Sequence, residues 1–391
     1  LFQKDYYFNT NPKHPFHKNN IIFVEYQENM QHHHEKTIQY EIVRGSYSLS
    51  CIIGSTVKKL FTSESMNFSL ISILALVPIV KILLSVKRYQ SFIKSYSNIK
   101  IILVGYDVLC PPEFIIAGQL MNVRCIGLQE RLNTAYANIY PLILDDYFVI
   151  GENVANHIKQ NRNADIKNLK IIGPIRSSWL RKRINLQSTK KASLDILVLD
   201  CASRPQDERP NILSANSWEN NKLFIEDILE IAGKMENCKF IIRGKDTNWV
   251  DIPYFNDLVK RVYASRNISI SNSYDIDRFS YDLVNKCDLV VCRHTSLAEE
   301  AMAAGIPTFF YERTVNGDIW MRSLVDYNDY AGYMTTKEDL IDAIKSIMNG
   351  NSQSLMKSIS NLNKTYFGDI FHHTSQDRLN RHLDELQSDL K

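Results

Sequence analysis

The stretch DLVVCRHTSLAEEAMAAGIPTFFYE, residues 288–312, carries the most chemistry per residue in the chain. An apolar run ends at Cys292 and a polar turn follows at Arg293, His294 and Thr295. A run of strong helix formers then begins at Ser296 and stops at Gly305, with Pro307 beyond it. Such a turn presents free backbone N–H groups and the positive end of a helix at the carboxyl edge of a strand, where a phosphate or diphosphate is stabilised. Arg293 and His294 add positive charge, and Thr295 and Ser296 add hydroxyls. Ser296 and Glu299 have the spacing of a capping box, which ties up only some of the amides and leaves the others for a ligand. Neighbouring positions diverge by about 100° around a helix, so only one of Glu299 and Glu300 is expected to face that ligand.

Three further charged clusters stand at the ends of apolar runs. KFIIRGKDTNW (239–249) delivers Arg243 and Lys245, which could neutralise a phosphate or a sugar carboxylate, the arginine bidentately; a solvated basic loop is the plain alternative. LDILVLDCASRPQDERP (194–210) delivers Asp200, a carboxylate able to act as nucleophile or base, or simply to close the strand with an Asx turn. IGLQERLNTAY (126–136) delivers Glu130 as an acid or base and Arg131 as an anion binder, with a surface ion pair as the rival. Asp107 in VGYDVLCPPE is a weaker candidate. No DxD pair follows a strand, so the expected chemistry is metal-independent and needs no cofactor. The run His32, His33, His34 does not alter this, because consecutive side chains point apart and do not converge on one ion.

These clusters need strands to deliver them. Ile-, Val- and Phe-rich runs alternate with helical patterns along the chain, the signature of parallel sheets covered by helices on both faces. Strands are expected at 21–25, 38–43, 99–104, 123–128, 147–150 and 169–172, then at 195–199, 239–243, 268–271, 288–292 and 307–311. The polar, basic segment 176–193 separates the two series. The expected division is a first Rossmann-like unit at 1–176, a linker at 177–193, a second Rossmann-like unit at 194–362 and, at 363–391, a terminal helix packing back toward the first unit. At about 150 residues per domain, 391 residues agree with two units. Each would hold a ligand crevice at its carboxyl edge, with a deeper cleft between them.

Composition narrows the classes. Lys plus Arg number 46 against 43 Asp plus Glu, and a net charge of +3 speaks against a nucleic-acid-coating protein. Seven cysteines without a CxxC pair make a poor disulfide framework, and the opening LFQKDYYFNT lacks the pattern of a signal peptide, so a cytoplasmic setting is expected. The apolar stretch 68–84 holds Pro78 and Lys81 and is expected as a buried helix. Its alternative is an interfacial helix which, with Lys59, Lys81, Lys87 and Arg88, rests peripherally on the cytoplasmic face of a membrane.

The order of strand, polar turn, TSLAEEAMAAGIP and a strand ending in aromatics resembles the donor-nucleotide motif in the second domain of GT-B fold glycosyltransferases, particularly those of bacterial capsule and lipopolysaccharide synthesis. FVIGENVANHIKQ (148–160) and NLKIIGPIRSSWL (168–180) look like the end of a GT-B first domain and its crossing, so the resemblance spans roughly 147–311. It implies a nucleotide-sugar donor in the second unit and a glycan or lipid-linked glycan acceptor in the first. It also implies that the helix amides hold the donor phosphates and that Glu300 binds ribose or sugar hydroxyls. The donor set is then Arg131, Arg243, Lys245, Arg293, His294, Thr295, Ser296, Glu300 and Tyr311, with Asp200 and Glu130 in the chemistry. Asp200 resembles the position of an aspartate in retaining transferases of β-linked 3-deoxy-manno-octulosonic acid (Kdo), which favours a CMP-Kdo-like donor. Capsule transferases using such donors commonly follow the basic residue with His-Pro, where this chain has Gly244 and Lys245. A UDP-sugar hexosyltransferase, a sugar-nucleotide 2-epimerase of the same fold and a non-catalytic binding module are the alternatives.

Overall fold

The computed structural model describes residues 21–23, 70–96, 99–105, 110–129, 142–160, 164–181, 190–200, 205, 217–244, 248–271, 279–293, 295–312, 330–369 and 374–389. They build two parallel α/β sheets. The first has strands β1 (Ile21–Phe23), β2 (Ile101–Val104), β3 (Arg124–Leu128), β4 (Leu142–Val149) and β5 (Ala164–Ile171), paired in that order. Helices α1 (Leu70–Lys94), α2 (Pro112–Gln119) and α3 (Glu152–Gln160) accompany it. The expected strand at 38–43 lies outside the described residues.

Two strands start earlier than the apolar pattern suggests. β4 begins at Leu142 rather than Tyr147, because Asp145 and Asp146 interrupt the apolar run without interrupting the ladder. Each carboxylate is compensated inside the sheet. Arg124 donates to Asp146 from Nε at 2.5 Å and from Nη2 at 3.0 Å, while Asp145 accepts from the Cys125 amide at 2.8 Å and from Lys167 at 2.6 Å. β5 is an edge strand, half exposed along its length, so its polar residues cost nothing and hide it from a search for apolar runs.

Helix α1 departs from the expectation of a buried helix where its side chains are described, at 78–84. Pro78 and Lys81 are exposed and Ile82 is 42% exposed, whereas burial is found further along, at Val86 and Ile93. No helix among the described residues is long and apolar enough to cross a membrane.

The second sheet has strands β6 (Asp195–Leu199), β7 (Lys239–Arg243), β8 (Ile268–Ile270), β9 (Leu289–Cys292), β10 (Thr308–Tyr311) and β11 (Tyr333–Met334), in the order β11-β10-β9-β6-β7-β8, all parallel. β11 is a two-residue strand beyond the five expected. Helices α4 (Trp218–Lys234), α5 (Asn256–Ala264), α6 (Phe279–Lys286), α7 (Ser296–Ala303), α8 (Lys337–Met348) and α9 (Gln353–Tyr366) follow the strands in turn. α4 buries Asn221, Phe224, Ile225, Ile228, Ile231 and Ala232, the three-and-four spacing of one helix face. α7 buries Ala298, Ala301 and Ala303 completely, so it lies close on the sheet, and Gly305, at φ 79°, supplies the left-handed residue that ends it. The chain adds strands outward from β6 to β8 and then returns to place β9 on the other side of β6. That reversal opens a crevice at the carboxyl ends of β6 and β9, where open α/β sheets bind ligands.

Beyond α9 the chain is not one continuous helix. Gly368 and Asp369 take positive φ, Arg378 donates to both of their carbonyls, and α10 spans Ser375–Asp389. Leu379, Leu383 and Leu386 of α10 share a core with Ile101, Leu103, Ile126, Leu128 and Phe148 of the first sheet. The alternate residues Ile102, Val104, Cys125, Tyr147 and Val149 share another core with Val86 and Ile93 of α1 and Phe114 of α2. Strand alternation thus gives the first sheet two apolar faces, and α10, last in sequence, covers one of them. Where the chain enters the expected linker, Ile175–Trp179 form a 3₁₀ turn with Ile175 and Leu180 buried.

Candidate active site

The residues that follow the strands of the second sheet form a row along its carboxyl edge. Leu199 pairs with Cys292 on one side and Arg243 on the other, so Asp200 sits beside Arg293 and next to the end of β7, and its amide donates to the Arg243 carbonyl at 3.0 Å. Glu312 ends β10, its amide donating to the Met334 carbonyl at 2.9 Å. Asp200, Arg293 and Glu312 are each 3% exposed. Charged groups so deeply withdrawn from water are held only where partners or ligands compensate them, and these three stand around the crevice between β6 and β9.

Asp200 is aimed by α4. The Nδ2 of Asn221, itself fully buried in the first turn of that helix, donates to Asp200 Oδ2 at 3.3 Å, and Ser217 caps the helix by accepting the Asn220 amide at 3.2 Å. Arg243 is half-buried. Its Nε donates to Ser280 Oγ at 3.1 Å and its Nη1 to the Ser271 carbonyl at 3.4 Å, which ties the end of β7 to β8 and to α6.

α7 opens directly after the polar turn. Thr295 is its N-cap, accepting the Leu297 amide on its hydroxyl at 3.4 Å. The expected capping box of Ser296 and Glu299 is therefore corrected by one residue: Ser296 is the first helical position and Glu299 lies within the helix. Glu299 and Glu300 are both buried, at 7% and 4% exposure. The Tyr281 hydroxyl donates to Glu300 Oε2 at 2.6 Å.

Tyr311 lies at the end of β10. It is 1% exposed and its hydroxyl donates at 2.7 Å to Asp227 of α4, which also pairs with Lys337 at 3.6 Å, so it serves as a polar bridge between strand and helices inside the core. Glu130, Arg131, Lys245, His294, Asp107 and the run His32–His34 lie outside the described residues. The structure places Asp200, Arg243 and Arg293 along one sheet edge, with Thr295 and Ser296 opening α7 after Arg293 and Glu300 one turn into that helix. Sequence reasoning missed Asn221, Tyr281 and Glu312. Glu312 alone had a signal, as a charge directly after an apolar strand; Asn221 and Tyr281 lie within helical patterns and nothing in the sequence marks them.

No family model matches the sequence, and no curated protein matches it. Solved structures do share its architecture. A protein assigned as a UDP-N-acetylglucosamine 2-epimerase from Listeria monocytogenes superposes with a TM-score of 0.51 at 14% identity, covering 79% of each chain. UDP-GlcNAc 2-epimerase from Neisseria meningitidis, solved bound to UDP-GlcNAc, gives 0.50 at 12% identity over 85% of this chain and 88% of its own. The wall teichoic acid polymerase TagF gives 0.50 at 12% identity over 76% and 75%. The chain has the GT-B fold: two Rossmann-like α/β units with a helical C-terminal segment.

Proposed function

We propose that this chain is a metal-independent GT-B glycosyltransferase that moves a sugar from a nucleotide donor held by the second unit (194–362) to a glycan or lipid-linked glycan acceptor at the first (1–176), the two joined through 177–193, with 363–391 returning to the first. The observation that carries the reading is that Asp200 and Arg293 leave β6 and β9 at the reversal, beside the N-terminus of α7, the helix that carries Glu300. Transfer breaks the bond between the anomeric carbon and the phosphate oxygen and forms one to the acceptor oxygen. A base must take the acceptor proton, and positive charge must support the departing phosphate. Arg243, Arg293 and the α7 amides are the cationic wall, Glu300 accepts hydroxyls, and Asp200 is nucleophile or base. The roles expected from the sequence for Glu130, Arg131, Lys245 and His294 remain part of the proposal. The acceptor is placed at the cytoplasmic membrane face, where the exposed Lys81, Lys87 and Arg88 of α1 would meet anionic lipid. The UDP-GlcNAc 2-epimerases among the fold neighbours favour a second reading, isomerisation of a sugar nucleotide without an acceptor.

The test is a thermal-shift panel of CMP, CDP, UDP, GDP and ADP, since a ligand that binds only the folded state raises its melting temperature by mass action. A selective response to CMP supports a CMP-Kdo-like donor, and UDP supports a UDP-sugar transferase or epimerase. Incubation with the matching sugar nucleotide then separates these two, because a transferase releases nucleotide only when acceptor is added, whereas an epimerase gives an isomer of equal mass without one. A response to none of the five overturns the nucleotide-sugar reading in favour of a binding module.

A further inference from the structure

Glu300 is connected through Tyr281 to the segment that crosses between the two sheets. The Tyr281 hydroxyl donates to its Oε2 at 2.6 Å, both residues being buried. The Tyr281 ring meets the Trp179 ring edge to face, with centroids 4.9 Å apart at 80°. One turn further along α6, on the same face, Asn285 grips the backbone on both sides of Leu180. Its Nδ2 donates to the Trp179 carbonyl at 3.1 Å and its Oδ1 accepts the Arg181 amide at 2.7 Å. Trp179 closes the 3₁₀ turn that leaves β5, and Ile175 at the start of that turn is packed with Leu379, Leu383 and Leu386 of α10 against the first sheet.

We propose that Tyr281 is a positioning residue that sets Glu300 to receive ligand hydroxyls, and that the crossing segment between the two sheets governs this setting through Trp179. The inference rests on the reading of the β6/β9 crevice as a donor site, and deepens it. An ionised carboxylate only accepts, and has about four lone-pair positions. The Tyr281 phenol fixes the orientation of Glu300, and as an acceptor the carboxylate would meet the hydroxyls of a ribose or sugar and not a phosphate. A shift of the crossing segment moves the Trp179 ring, and with it Tyr281 and the carboxylate. The relative position of the two units is thereby felt at a donor contact made entirely within the second. Contiguous packing of this kind carries coupling only if both ends respond to a change at either, and that is measurable.

The experiment is calorimetric titration of UDP, CMP and inorganic pyrophosphate into the full chain and its variants. Tyr281→Phe keeps the ring against Trp179 and removes only the donor; it is expected to weaken the bound nucleotide about five- to tenfold, a fraction of what a hydrogen bond to a charged group can contribute. Pyrophosphate, which lacks ribose, is expected to bind the variant as it binds the wild type. A general loosening of the site would weaken both ligands and overturns the positioning role, as does a variant that binds nucleotide as tightly as the wild type. For the crossing segment, Asn285→Ala and Glu300→Gln are combined in a double-mutant cycle. A combined loss at least about threefold smaller than the product of the single losses supports the coupling, and a simple product overturns it. If neither nucleotide nor pyrophosphate binds the wild type, the donor site itself fails and takes the inference with it. Loss of nucleotide in Glu300→Gln with no effect of Tyr281→Phe leaves the donor site standing and removes only the relay.

Discussion

The two sheets use charged residues in opposite ways. In the second, the fully buried strand positions carry no charge and charges come directly after the strands: Asp200 after β6, Arg293 after β9, Glu312 after β10. In the first, the charges stand inside the ladder: Asp145 and Asp146 in β4, Arg124 at the start of β3 and Lys167 in β5. The inner charges are consumed by one another, since Arg124 closes on Asp146 in a bidentate pair and Lys167 closes on Asp145. The charges at the strand exits line a crevice. Position along the strand, and not residue type, separates a structural ion pair from a candidate for chemistry.

The contrast predicts different failures. Asp200→Asn keeps the shape of the side chain and an oxygen that can still accept from Asn221, so the fold is expected to survive with an unchanged melting temperature. Turnover of the sugar nucleotide identified by the panel is expected to fall about 10³-fold, the scale of losing a base or nucleophile. Activity within a few-fold of wild type would remove Asp200 from the chemistry and leave it as the turn that closes β6.

Arg124→Ala should do the reverse. Asp146 is left 2% exposed at its side chain with its bidentate partner gone, and breaking a buried pair in this way costs about 3 kcal/mol of stability. Chemical denaturation is the measure. The Asn168 amide still donates to Asp146 at 3.2 Å, which sets a floor under the damage. A loss below about 1 kcal/mol would mean that water reaches the carboxylate and that the pair is a surface pair in energetic terms.

The same contrast decides what could be read in advance. In the second sheet β6 and β7 coincide with the expected ranges, because DILVL and KFIIR are apolar runs bounded by charges and turns. In the first sheet the two aspartates of β4 and the half-exposed polar residues of β5 erase the apolar signal, and those strands read short. The site divides likewise. Asp200, Arg243 and Arg293 are legible because a charge after an apolar strand is visible in one dimension. Tyr311 also ends such a strand, and its hydroxyl turns to Asp227 in a helix 84 positions away in sequence. Asn221 and Tyr281 act through contacts 21 and 19 positions away, and no local pattern marks them.

The smallest expected effect concerns α10, which follows the second sheet in sequence and packs on the first. His382 Nδ1 lies 3.0 Å from Glu385 Oε2, and its ring faces Phe148 of β4 at 5.8 Å. The hydrogen bond to His382 holds the Glu385 carboxyl below its ordinary value of 4.5, with His382, Lys170 and Arg381 adding to it electrostatically. A carboxyl whose pKa is lowered by folding contributes stability above its unfolded value and loses that contribution as pH falls through the folded one. The docking of α10 is therefore expected to weaken below about pH 4.5, the ordinary value, and not between pH 5 and 7 on account of this group. Because Glu385 is exposed, the effect belongs to the weak class of surface pairs. Hydrogen exchange of the α10 amides at pH 3.5 and 6, in the wild type and in Glu385→Gln, isolates it. The wild type should lose protection in α10 at the lower pH more than the variant does, whereas equal losses would assign the docking to Leu379, Leu383 and Leu386 alone.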